Sequence, residues 1–266
     1  MQKPFYCGVG GVVSTDIAVP NHVKQHEFYS SILTTGEDPF WRDDLLNYQG
    51  TPIIGLGSQS DEFPDLPLQW IPHFQVDSVA QKIVVAQSLG AKILFQSTDG
   101  EIQHHWAGGV DSSGAAFGLI TSLPADRKEY QSDRGIDSIC GLTLSVEDLT
   151  RTTQFYEEVV GWTASESETE NEQSDSAVVQ MLGPDKFVAA HIFQIPDNKN
   201  TEQQHRLPSV WLIYLPVGDL EFSLRKVING GGSVISKSSG DSAVIRDPEG
   251  VYLGLKAGDS NRKNSQ

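Results

Sequence analysis

"WIPHFQVDSVAQKIVVAQSLGAKIL" (70–94) and "WLIYLPVGDLEFSLRKVINGGGSVI" (211–235) align without a gap at an offset of 141 residues. Trp70 meets Trp211, Val76 meets Val217, Val79 meets Leu220, Ile83 meets Leu224 and Gly90 meets Gly231. Each stretch opens with the two-residue alternation of a strand and continues with helical spacing. The endings repeat as well. "DSSGAAFGL" (111–119) and "DPEGVYLGL" (247–255) share Asp, Gly, Gly and Leu at the same four places, now at an offset of 136. The chain is therefore read first as a duplication.

A second pair precedes the first. "DIAVPNHVKQHEFY" (16–29) aligns with "TLSVEDLTRTTQFY" (143–156) at an offset of 127, so Val19 meets Val146 and Phe28-Tyr29 meets Phe155-Tyr156. The order is A, B, A′, B′. Each unit reads β-α-β-β-β. Its helix is begun by Asn21, Ser78, Asp148 or Asp219, whose side-chain oxygens suit an N-cap. Ser78-x-x-Gln81 also fits a capping box. Gly90, Gly161 and Gly230 fall where a helix end wants a residue tolerant of positive φ. "AKILFQ", "HHWAGGV", "AAFGLI", "AVIRD" and "VYLGLK" supply further strands.

Apolar residues at 38% and charged residues at 20% allow a packed core and a soluble globular class. No apolar run approaches the roughly 18–20 residues of a membrane span. "MQKPFYCGVGGVV" lacks the features of a signal peptide, so a cytoplasmic location is expected. Cys7 and Cys140 are the two cysteines, without a Cys-x-x-Cys spacing. They read as reduced thiols, not as a zinc site or a disulfide framework. The net charge of −16 repels phosphate backbones and argues against nucleic acid as a partner. It suits a cationic ligand, or simply solubility. "TASESETENEQSDS" (163–176) reads as a solvated acidic loop.

The two "V-x-D/N-[LH]-x-x-x-x-x-F-Y" blocks and the two "D-x-x-G-x-x-x-G-L" endings resemble the glyoxalase/bleomycin-resistance/dioxygenase superfamily, also called vicinal oxygen chelate proteins. "AAFGLI" and "YLGLK" look like its two-domain glyoxalase-like subgroup. The resemblance implies an α+β fold, with four β-α-β-β-β modules paired into two eight-stranded cup-shaped domains. The boundaries expected are 1–122 for modules A and B, 123–136 for a linker and 137–257 for A′ and B′. Residues 258–266 read as a disordered tail.

Metal-dependent members of that superfamily place a His or Gln in the opening strand and a Glu in the closing strand. Carried over one at a time, these positions are Ser14, Ile71, Gly141 and Leu212 in the opening strands. In the closing strands of the B units they are Gly118 and Gly254. None is a credible ligand, because a hard divalent ion wants about six ligands and even catalytic zinc takes three from protein. No metal and no other cofactor is expected.

If the ligand position faces into the cup, so do residues two and four further on. Ile17, Val19, Phe74, Val76, Leu144, Val146, Leu215 and Val217 then face the helices. Inward are Asp16 and Ala18 with His73 and Gln75 opposite, and Thr143 and Ser145 with Tyr214 and Pro216 opposite. The candidate ligand-binding residues are Asp16, His73, Gln75, Gly118, Thr143, Tyr214 and Gly254. Asp16 and His73 are also the candidate catalytic pair, an acid and a base on pseudo-symmetric strands. They read equally as a salt-bridged patch that satisfies itself. The first cup is favoured, with Gly118 leaving room for a ligand.

Of the other imidazoles, at most one of His104 and His105 enters a cup, since strand neighbours face opposite ways. His191 falls near the missing carboxylate position of A′. His22, His26 and His205 read as surface side chains, and Trp70 and Trp211 as packing. No Gly-x-Ser-x-Gly elbow, Walker-type loop or His-Glu-x-x-His motif occurs, and "NGGGS" (229–233) stops a helix. Two function classes follow. One is a metal-free protein that binds a small organic molecule. The other is a lyase, isomerase or dioxygenase using an atypical metal or acid–base site. The second half also suits a scaffold or homodimer surface. No membrane partner is expected.

Overall fold

A computed structural model of the chain describes residues 8–33, 40–42, 45–48, 51–59, 64–97, 106–121, 139–166, 177–184, 186–196, 207–238 and 241–257. Two sheets of eight strands each organise it. The first sheet runs in the order β2-β3-β4-β1-β5-β8-β7-β6. Its strands are β1 (Val12–Val19), β2 (Phe40–Arg42), β3 (Leu45–Tyr48), β4 (Thr51–Ser58), β5 (Ile71–Val76), β6 (Lys92–Gln96), β7 (Trp106–Val110) and β8 (Ala116–Thr121). The second repeats that order as β10-β11-β12-β9-β13-β16-β15-β14. It comprises β9 (Gly141–Val146), β10 (Thr163–Glu166), β11 (Val178–Leu182), β12 (Val188–Gln194), β13 (Leu212–Val217), β14 (Ser233–Lys237), β15 (Ser242–Arg246) and β16 (Tyr252–Ala257).

Within each sheet the opening strands of two modules meet antiparallel, β1 on β5 and β9 on β13. Each opening strand pairs in parallel with the last strand of its own module: β1 with β4, β5 with β8, β9 with β12 and β13 with β16. Parallel neighbours need a crossover, which the module's helix supplies. These helices are α1 (His22–Ile32), α2 (Val79–Ser88), α3 (Leu149–Val160) and α4 (Leu220–Asn229). Asn21, Ser78, Asp148 and Asp219 cap their N-termini, each accepting from a backbone N–H three residues on. No helix among the described residues is long and apolar enough to cross a membrane.

Two local expectations are corrected. Gly161 ends α3 at φ +85° and Gly90 follows α2 at φ +93°, but Gly230 has an ordinary φ of −79°. The left-handed residue after α4 is Gly231, at φ +87°, which is the partner of Gly90 in the gap-free alignment. The acidic stretch from 163 does not begin as a loop. Thr163–Glu166 forms β10, because β11 offers it a ladder from Thr163↔Leu182 to Glu166↔Val179. Residues 167–176 lie outside the described residues, as does the expected linker.

The helix-facing residues of both sheets form one core. Ile17, Val19, Phe74, Val76, Leu144, Val146, Leu215 and Val217 are all buried. The helices pack in pairs across the halves, α1 with α4 and α2 with α3. Phe74 of the first sheet meets Tyr156, Trp162 and Trp211 of the second half, edge to face, at 5.2–5.9 Å between centroids. Trp162 Nε1–H donates to the Gly10 carbonyl at 2.7 Å. Each concave face therefore looks away from this shared core.

The repeated residues that open the modules and close them meet here. Asp111 Oδ1 accepts from the backbone N–H groups of Ser113 and Ala115, making the turn before β8. Asp247 Oδ1 does the same for Glu249 and Val251 before β16. The other carboxylate oxygen reaches the opposite half. Tyr156 donates its hydroxyl to Asp111 Oδ2 at 2.9 Å, and Tyr29 to Asp247 Oδ2 at 2.6 Å. Trp211 Nε1–H donates in turn to the Tyr156 hydroxyl at 2.8 Å, and Trp70 packs edge-on to Tyr29. Burying a carboxylate is costly unless it is hydrogen-bonded, so each buried Asp ties turn, helix and opposite half together.

Candidate functional site

The ladders fix which side chains share the floor of each cup. Asp16 pairs in register with Gly55, His73 with Gly118, Thr143 with His191 and Tyr214 with Gly254. These are four copies of one position pair. His191 is thus the A′ counterpart of Gly118 and Gly254, which a one-residue slip hides in the sequence. Gly55 is the counterpart in module A, a residue that sequence reasoning missed because the first module's closing strand lacks the D-x-x-G ending.

In the first cup Asp16 and His73 face each other, with His73 Nε2 3.0 Å from Asp16 Oδ2. Burial opposes the charge on both. For Asp16, the imidazolium and hydrogen bonds from His73 and the Gly55 backbone prevail and hold the carboxyl below its usual range. For His73, the Asp16 carboxylate outweighs burial and raises the imidazole above its ordinary value. The expected room over Gly118 is not there. A Cβ built on Gly118 would lie 2.9 Å from His73 Cδ2, because the imidazole occupies that space. A Cβ on Gly55 would likewise overlap the Asp16 carboxylate. Gln75 is fully buried, and its side-chain oxygen accepts from the Gly8 N–H at 3.1 Å.

In the second cup the equivalents of Asp16 and His73 are Thr143 and Tyr214, on the neighbouring strands β9 and β13 and both in the cavity wall. The Tyr214 ring lies where a Cβ of Gly254 would be. A cavity of about 340 Å³ remains beside them, at the lower end of the range for ligand pockets. Thr143, Gln180, His191, Tyr214, Ser242 and Lys256 supply its polar lining. Cys140 lies in the wall, where burial pushes its thiol up to about 11, so it is neither a nucleophilic thiolate nor a charged ligand. Burial lowers the pKa of His191, which favours the neutral imidazole.

Thus Asp16 with His73, and Thr143 with Tyr214, come together as pairs. Gly118 and Gly254 are the seats of neighbouring rings. His104, His105 and His205 lie outside the described residues. The donors at the superfamily's metal positions do not fit a divalent ion. Ser14, Ile71, Gly141 and Leu212 in the opening strands and Gly55, Gly118, His191 and Gly254 in the closing strands together bring one imidazole and no carboxylate. No group of three or more His, Cys, Asp or Glu poised to hold an ion occurs among the described residues.

Fold and cups define a duplicated two-domain protein of paired β-α-β-β-β modules. Residues 135–255 match the family model of the Glyoxalase/Bleomycin resistance protein/Dioxygenase superfamily, and the first half repeats the topology of the matched half. Solved structures with this fold include a variant of homoprotocatechuate 2,3-dioxygenase from B.fuscum, at 13% identity and a TM-score of 0.55 over 96% of this chain and 74% of that one. The Mn(II)-bound glyoxalase from Novosphingobium aromaticivorans gives 11% and 0.56, over 94% and 83%. The 2,3-dioxygenase LapB from Pseudomonas sp. KL28 gives 11% and 0.53, over 96% and 94%. At these identities the likeness is one of fold. No curated protein matches the chain by sequence.

Proposed function

We propose that this chain binds a small organic molecule, without a metal ion, in the cavity of its second cup. The observation that carries this reading is the 340 Å³ space between Thr143, His191, Tyr214 and Lys256. It lies on the concave face where metal-dependent relatives of this superfamily hold their ion, yet Gly141, Leu212 and Gly254 bring no donor to the ligand positions and His191 alone brings one. Neutral hydroxyl, amide and imidazole groups orient a ligand there, while Val188 and the Tyr214 ring offer it apolar contact. A thermal-shift screen of small organic acids, amines and neutral arenes on EDTA-dialysed protein tests it. Stabilising compounds are expected, and Thr143→Trp and Gln180→Trp, which fill the cavity from two strands, should each abolish the shift. Shifts that require added metal, or that survive both variants, would refute it.

A second reading rests on the Asp16–His73 pair. The dyad is partly open, with 43% of the Asp16 side chain and 14% of His73 exposed. A charged acid–base pair at a cup floor suits proton transfer in a lyase or isomerase. Turnover that disappears in His73→Gln and persists in the two cavity-filling variants would favour this reading over the first.

A further inference from the structure

The charge pattern of the second cup names a class of ligand, on the reading that this cup is the binding site. Among the described residues, Lys256 is the one Lys or Arg that lines the cavity, and none of the lining residues is a carboxylate. Two residues beyond Gly254 on β16 and opposite Ser242 on β15, it shares their concave face. Lys256 is ion-paired with Asp241 at 3.6 Å, longer than the roughly 2.7–2.9 Å of a strong charge-assisted bond, and Asp241 is not among the residues that line the cavity. The remaining polar groups, Thr143, Gln180, Tyr214 and Ser242 together with His191, whose pKa burial lowers, are uncharged at neutral pH and can donate hydrogen bonds.

The chain as a whole is acidic at −16, which by itself suits a cationic ligand. The field inside a recess is set locally, however, because salt screens exposed charges beyond about 8 Å. A cation in this cavity would meet Lys256, whose ion-pair partner Asp241 stands outside the lining, and no carboxylate among the described lining residues. A dianion would set its second charge against neutral walls inside a negative protein. One negative charge is matched.

We propose that the second cup binds organic monoanions, with Lys256 anchoring a carboxylate and the Tyr214 ring and Val188 covering a compact apolar body. Hydroxyl and amide donors on the facing strands take the remaining carboxylate lone pairs.

The test uses matched probes on the full chain, benzoate with benzamide and 2-naphthoate with 2-naphthamide, alongside benzylammonium. Affinities are read by ligand-observed NMR and calorimetry. Each carboxylate should bind about tenfold more tightly than its amide, the scale of one charge-assisted hydrogen bond. Lys256→Met should level the pair and Lys256→Arg should keep most of the gap. Amides that match their carboxylates, or a preference for benzylammonium, would overturn the monoanion inference. The cup would remain the site if Thr143→Trp still abolished that binding. Carboxylate binding indifferent to both Lys256→Met and Gln180→Trp would place the ligand elsewhere, and binding by none of the probes would overturn inference and cup together.

Discussion

Tyr156, on a helix of the second half, donates its hydroxyl to Asp111 of the first half at 2.9 Å, and Tyr29 returns the contact to Asp247 at 2.6 Å. All four residues belong to the repeated sequence blocks. Their repetition is therefore explained by mutual support between the halves, since each half's turn receives the other half's tyrosine. Tyr156→Phe would leave one oxygen of a buried carboxylate and the Trp211 N–H without their partner. It should cost about 1–3 kcal/mol of stability. Urea unfolding followed by tryptophan fluorescence and circular dichroism should show one transition for wild type and variant, because both sheets pack on one core. Two separate transitions would contradict the shared core.

His73 tests the first cup. Burial pushes its pKa down and Asp16 pushes it up by more. NMR titration should place it above the roughly 6.5 of a free imidazole. In Asp16→Asn burial acts alone, so the value should fall below that reference. A His73 pKa unmoved by Asp16→Asn would mean that the pair does not interact.

The same pair sets a pH window for stability. Asp16 has a lowered folded pKa, so its contribution is present above the unfolded value of about 3.9 and is lost as pH falls through the folded one. His73 has a raised folded pKa, so its contribution is complete below about 6.5 and is lost as pH rises through the folded one. The stability difference between wild type and His73→Gln should be largest from about pH 4 to 6.5 and shrink above it. Denaturant midpoints across pH check this.

Gly254 should not tolerate even a methyl group. Its Cβ would overlap the Tyr214 ring, whose backbone the β13–β16 ladder fixes opposite Gly254. Gly254→Ala should cost about 1–3 kcal/mol by overpacking. Gly250→Ala is a contrasting control, since a Cβ there meets nothing within 4 Å but strains a φ of +94°. Pairing Gly254→Ala with Tyr214→Ala should recover part of the loss, and thermal melts would show whether it does.

The modular order and the apolar faces were legible because duplication and two-residue alternation are written directly into Val19/Val146 and Trp70/Trp211. The four N-caps were legible for the same local reason. Alternation names a face, however, and not what lies across from it. That Asp111 and Asp247 serve the opposite half required the pairing of helices. The glycines at 118 and 254 read as missing ligands, whereas in space they are seats for His73 and Tyr214, as the unnoticed Gly55 is for Asp16. Cavity volume has no signature in sequence, so the space beside Thr143 and Tyr214 was not legible, whereas the ionisable types of Asp16 and His73 were. Lys256 and Gln180 escaped notice because an isolated polar residue in a strand has no motif to mark it.

The claim that the cups work without metal is the one on which the functional account turns. Purified protein is stripped with EDTA, incubated with excess Mn²⁺, Fe²⁺, Zn²⁺ or Ni²⁺, desalted, and analysed by inductively coupled plasma mass spectrometry beside His191→Ala. Fewer than about 0.1 ions per chain should remain, with no difference between the two proteins, since one imidazole cannot replace the three protein ligands that a catalytic zinc takes. One tightly held ion per chain that disappears in His191→Ala would contradict the account.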